Sequence, residues 1–212
     1  MNAEILQQSN RDFEAVRRGR NLEYFTIGWN SLEAIIAVGA GILAGSVALF
    51  GFGIDSVIEV SSGLIILWRL ASGERSEKLA LHLVGVSFLG LAAYVLFDAV
   101  KSLIYRELPD ATYVGIAVAA LSLIVMPLLA RAKRQVAAKL NSGAMHADSR
   151  QTDLCAYLSA ILLGGLLSNA MAGWWWADPV AALIMVPIIA REGIAALRGE
   201  TCCDAGDCVK PM

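Results

Sequence analysis

Residues 45–60 read GSVALFGFGIDSVIEV. The stretch is apolar enough to lie in hydrocarbon, yet it carries Asp55 and Glu59. Four residues are nearly one helical turn, so the two carboxylates share a face. At the bilayer centre each charge costs about 2.5–3.5 kcal/mol on insertion scales. Like charges at this spacing also repel. A helix built this way needs something to compensate the pair, and the rest of the chain decides what that is.

The composition says where the helix lies. Of 212 residues, 57% are hydrophobic and 17% charged, and the mean hydropathy is +0.61. A soluble domain carries roughly 25% charged residues. The chain therefore reads as an integral membrane protein whose partners include the lipid bilayer. A net charge of −2 gives no nucleic-acid signature. The opening MNAEILQQSNRDFEAVRRGR has no apolar core and mixes both charge signs, so it is not a cleavable signal. It reads as an amphipathic or frayed cytosolic segment. Cys155 stands alone in an apolar run and Cys202, Cys203 and Cys208 sit in the tail, which is no disulfide framework.

Six apolar segments can be drawn, giving an all-α polytopic fold with six transmembrane helices. A crossing needs about 20 residues. The first four spans cover 24–44, 46–70, 79–104 and 111–130, with Gly45 breaking the first from the second. The region 154–190 is too long for one crossing and splits at NAMAGWWWADP. The three tryptophans suit a membrane–water interface. Asp178 and Pro179 read as an N-cap and a first helical residue. The fifth span then starts within ADSRQTD and ends near Met171, and the sixth begins near Pro179. This divides the chain into a cytoplasmic segment 1–23, a membrane domain 24–197 and a short cysteine-containing tail 198–212. All Lys and Arg except Lys101 and Arg106 fall on one side of this layout. By the positive-inside rule both termini are cytoplasmic, as an even number of crossings requires. The link between spans four and five, with Arg131, Lys133, Arg134, Lys139 and Arg150, is the most basic.

Polar residues inside the spans are the functional candidates. A divalent cation would neutralise Asp55 and Glu59 and satisfy their oxygens together. In HADSRQTDLCAYLS, Gln151 and Cys155 are four apart, with Asp148 and Thr152 on the same broad face and Asp153 turned away. A cysteine suits soft metals such as zinc, cadmium or copper(I); the alternative is a small buried hydrophobe. Glu33, midway through span one, is a third acid, a proton carrier or a partner to a cation. Asp98 sits near the hydrated end of span three, and His82 and His146 lie at membrane edges. The tail GETCCDAGDC, with Cys202, Cys203 and Cys208, either holds a soft metal or forms a reactive end.

The stretch 45–60 resembles the second transmembrane helix of cation diffusion facilitators, which are metal efflux carriers. Their helix follows a GSxA…DxxxD form, and here the second acid is Glu59. The run ADSRQTDLCAYLSAILLGGL…GWWWADPVAALIMVPIIAREG resembles their fifth and sixth helices, where the form is ADxxHxxxD followed by a W…ADP turn. The likeness covers about 24–197. It implies a four-ligand metal site between helices two and five, which carried over by position is Asp55, Glu59, Gln151 and Cys155. Gln151 and Cys155 replace the family's His and Asp, which leaves Asp148, Thr152 or Glu33 open as contributors. The link ASGERSEKLA lacks the histidines that some relatives use for a secondary metal. With about 15 residues after the last span, the resemblance is to a short type without the family's C-terminal cytoplasmic domain, leaving a homodimer through the membrane helices open.

The expected activity is export of a divalent cation, zinc foremost, in exchange for protons across a membrane, the bacterial inner membrane being the expected setting. No permanently bound cofactor is expected. The alternative is a metal-binding or sensing membrane protein without transport. An enzyme is not expected: a serine–histidine or metal–histidine site needs a central histidine, which neither His82 nor His146 supplies, and an aspartyl site needs a second facing aspartate, for which Asp55 has no obvious partner.

Overall fold

The computed structural model describes residues 2–72, 77–106, 110, 112–140 and 143–198. Among the described residues the chain forms six α-helices and no strand: α1 Asn2–Ala44, α2 Val47–Ser72, α3 Glu77–Tyr105, α4 Tyr113–Leu140, α5 Gly143–Ala172 and α6 Ala177–Arg198. Five stretches are long and apolar enough to cross a membrane: Phe13–Ala44, Val47–Trp68, Gly85–Tyr105, Tyr113–Leu140 and Asp148–Ala172. α6 falls outside that set, as its described stretch carries Asp178, Arg191 and Glu192. Its 22 residues would still run about 33 Å at the helical rise, and it packs along α3 inside the same bundle.

Two boundaries differ from expectation. α1 runs unbroken through position 24, so residues 2–23 are helical rather than frayed. α4 continues ten residues beyond its expected end at 130. In both helices the apolar face outlasts the apolar composition. Ala15 on α1 and Val136 and Ala137 on α4 are buried, although charged residues stand within two positions of each.

The α1–α2 turn is tight for a stated reason. Gly45 adopts φ +65°, the left-handed conformation that glycine takes without a Cβ penalty. The Ser46 amide then donates to Gly41 O at 3.0 Å and the Gly45 amide to Ile42 O, the two bonds of a Schellman C-cap. From this turn α2 runs back along α1. A Cβ on Gly41 would lie 2.7 Å from the Phe50 backbone nitrogen, and one on Gly53 2.7 Å from that of Val38. Small residues let the two backbones approach this closely, the usual means of helix association in lipid.

Asp178 departs from its expected role. It lies in the first turn of α6, but its carboxylate crosses to the start of α2. There it accepts bonds from the Ser46 hydroxyl, the Val47 amide at 3.0 Å and the Ala48 amide at 3.4 Å. The unsatisfied amides of a helix start attract a carboxylate. Here those amides belong to a neighbouring helix.

The remaining packing encloses α2, which meets α1, α3, α5 and α6. α4 pairs with α5, and α3 with α6. The core between them holds Phe52, Leu49, Met126, Leu158, Leu162 and Met185, all fully buried.

Candidate metal site and its charged neighbours

The facing positions of α2 and α5 follow an antiparallel register. Ser62 Oγ bonds Asp148 Oδ1 at 3.1 Å, and Thr152 Oγ1 bonds Glu59 Oε1 at 2.6 Å. The same register brings Asp55 level with Cys155, whose thiol lies beside the Glu59 carboxylate. Asp55, Glu59, Thr152 and Cys155 are all buried. The level is extended from α1 by Glu33, whose Oε2 accepts a bond from Ser56 Oγ at 3.1 Å, and Ser122 of α4 lies beside it. Glu33 is 3% exposed, so it is a third buried acid in this interior.

The open valences cluster here. Glu33 Oε1, Glu59 Oε2, Gln151 Nε2 and Ser122 Oγ are buried without a hydrogen-bond partner. Each such group costs roughly 1–3 kcal/mol when left unmade. Among the described residues, however, no three His, Cys, Asp or Glu side chains stand close enough to hold a metal ion as they lie. The level is an acidic lining rather than a closed cage. Gln151 is half-buried, and the hydroxyl that reaches Glu59 comes from Thr152.

Toward the α4–α5 connection lies a second charged level that the sequence reading missed. Lys133 is fully buried, with Nζ 2.5 Å from Asp148 Oδ2 and 3.3 Å from Glu23 Oε2. The charge pattern puts Lys133 among the basic residues of the link between spans four and five. Instead it points inward from α4 and ties together α1 and α5. Asp148, which the sequence left open as a metal ligand, is engaged by Lys133 and Ser62. Asp153 turns the other way and pairs with Arg134, as its angular position required.

Both missed residues had a periodic signal. On α1, Glu23, Thr26, Asn30 and Glu33 are spaced three, four and three apart, and all are buried. They form one polar stripe, which Ala37 continues. On α4, Ser122, Met126, Leu129, Lys133 and Val136 follow the same spacing along the buried face. His82 and His146 are exposed, and Asp98 pairs loosely with Lys101 at 3.9 Å. Cys202, Cys203 and Cys208 lie outside the described residues.

A helical bundle with membrane-length apolar helices and buried carboxylates facing one another across α1, α2 and α5 defines a multi-pass membrane protein with an interior suited to small cations. The chain belongs to the cation efflux family, whose transmembrane-domain model matches residues 25–199. It is similar to transmembrane protein 163 of Xenopus laevis, 26% identical over 182 residues, covering 83% of this chain and 65% of the relative. An uncharacterized transporter of Methanocaldococcus jannaschii is 31% identical over 177 residues, with 76% and 61% covered. One of Synechocystis is 25% identical over 181 residues, with 79% and 58% covered. The chain thus spans about three fifths of the length of these relatives.

Proposed function

We propose that this chain carries a divalent metal cation, zinc or a zinc-like ion such as cadmium, out of the cytosol in exchange for protons. The observation that carries the reading is the α2–α5 register, which puts Asp55, Glu59 and Cys155 into one buried level. Family membership across nearly all the helices supports it. The cation is the cargo, and the lining suits it in kind. Two carboxylates supply charge, a thiol biases toward soft metals, and the open oxygen of Glu59 is free to turn toward an ion. Repulsion holds unneutralised carboxylates apart, so the lining would close only around an arriving cation. Gln151 and Glu33 complete the set in this reading, Gln151 as a neutral ligand and Glu33 as a nearby acid.

Proton exchange follows from the same chemistry. Ligands bind metal deprotonated, so protonation and metal binding compete at one place. Asp55 is the primary anionic ligand, and Glu59 is the second ligand and the proton acceptor. The membrane would be the inner membrane of a bacterium, with any homodimer contact made through the helices.

Proteoliposomes carrying a metal-sensing dye and a pH dye test this. Zinc entry should be matched by opposite proton movement and abolished in Asp55→Ala and in Glu59→Ala. Unchanged zinc flux in both variants would sink the assignment. Zinc binding lost in both variants, without flux in the parent chain, would favour a binding or sensing protein.

A further inference from the structure

The buried Lys133 is unused by the proposed carrier, and its surroundings have the form of a cation site. Two carboxylates from different helices, Glu23 of α1 and Asp148 of α5, face its ammonium from 3.3 and 2.5 Å. The Ser62 hydroxyl of α2 completes the group through Asp148. All three charged residues are 2% exposed or less. Glu23 Oε1 is buried there without a partner, and a Cβ on Gly63 would lie 3.3 Å from Glu23 Oε2, so the space around this acid is kept by a glycine. Two carboxyl groups face this one ammonium. Hard oxygen donors such as these suit a divalent cation of the magnesium, calcium or manganese kind.

We propose that Lys133 is a tethered cation that fills a second divalent-cation site formed by Glu23, Asp148 and Ser62, and thereby confines cargo to the Asp55–Glu59 level. The inference rests on the carrier reading for its purpose, though not for its chemistry. The two levels are neighbours: Asp148 is one helical turn from Thr152, which holds Glu59. An ion passing between the cytosol and Glu59 would meet Glu23 and Asp148 on the way. Without a fixed positive charge these acids would hold the ion and stall its passage. A lysine satisfies them permanently and cannot be exported.

The test uses the full chain in detergent, with manganese as the probe, read by electron paramagnetic resonance and by metal analysis after dialysis. Lys133→Met should bind one more manganese ion per chain than its parent. The same increment should appear in the Asp55→Asn/Glu59→Gln background and vanish when Asp148→Asn is added. Lys133→Arg should show none. No added manganese in Lys133→Met in either background overturns the proposal. Loss of metal binding in Asp55→Asn/Glu59→Gln tests the carrier site separately, so either reading can fail alone. If Lys133→Met is lost on solubilisation, its recovery with and without manganese decides. Restored recovery with the metal supports the second site, and equally poor recovery in both overturns it.

Discussion

At the scale of single residues, the site depends on which side chain holds which carboxylate. Thr152 donates to Glu59 Oε1 at 2.6 Å from a fully buried position. A hydrogen bond to a charged group is worth about 1.5–3 kcal/mol, and about 1.4 kcal/mol is a factor of ten in affinity. Thr152→Val keeps the shape and removes the donor. It should weaken zinc affinity on the order of tenfold, read as a rise in the zinc KM with kcat less affected, and Thr152→Ser should restore it. Cys155 is likewise fully buried beside Glu59. If it touches cargo, Cys155→Ala lowers the cadmium-to-zinc flux ratio; a constant ratio would return Cys155 to the role of a small core residue. Sequence alone made Asp55, Glu59 and Cys155 legible, because an acid or a thiol in an apolar run stands out. It could not choose between Gln151 and Thr152. The two are adjacent on α5, and only the rotation of that helix against α2 decides which one faces Glu59.

At the scale of elements, the helices were legible and their ends were not. Hydropathy located every helix, but it fades where a helix continues with charged residues on its outer face. α1 and α4 both do this, and Glu23 and Lys133 sit in those overlooked turns. The partners of Lys133 lie 110 and 15 positions away in the chain, so their meeting is a tertiary fact. Two predictions belong here. Gly53→Leu would drive a side chain against the Val38 backbone, 2.7 Å from where its Cβ must stand. Overpacking of this kind costs about 1–3 kcal/mol, so thermal stability in detergent should drop. Gly39→Ala, with nothing within 4 Å, should change it little. Asp178→Ala removes a carboxylate from the start of α2, a cap worth about 0.5–2 kcal/mol. It should loosen α2 from α6, seen as faster hydrogen exchange at the Val47 and Ala48 amides. Protection equal to the parent at those amides would show that Ser46 and the turn suffice.

At the scale of the whole molecule, the charges define an axis. Among the described residues the Lys133 cluster marks one end of the site. The cap of Ser46 and Asp178 marks the opposite end of α2. Burying Lys133 removes one positive charge from the loop inventory, but the asymmetry survives. In the sequence layout Lys101 and Arg106 still fall at the α3–α4 end and the other Lys and Arg at the opposite one. The positive-inside rule predicts a cytosolic α4–α5 connection, which would put the Lys133 level between the cytosol and Glu59. Single cysteines in a background with all four native cysteines changed to serine can check this. His146 is exposed beside the α4–α5 connection, and Tyr113 is 78% exposed at the start of α4. In intact cells a membrane-impermeant maleimide should label Tyr113→Cys directly, and His146→Cys only after the membrane is opened. The reverse pattern would invert the molecule. The Lys133 cluster would then guard the exit rather than the entrance, and the direction of transport proposed for the site would have to be reversed with it.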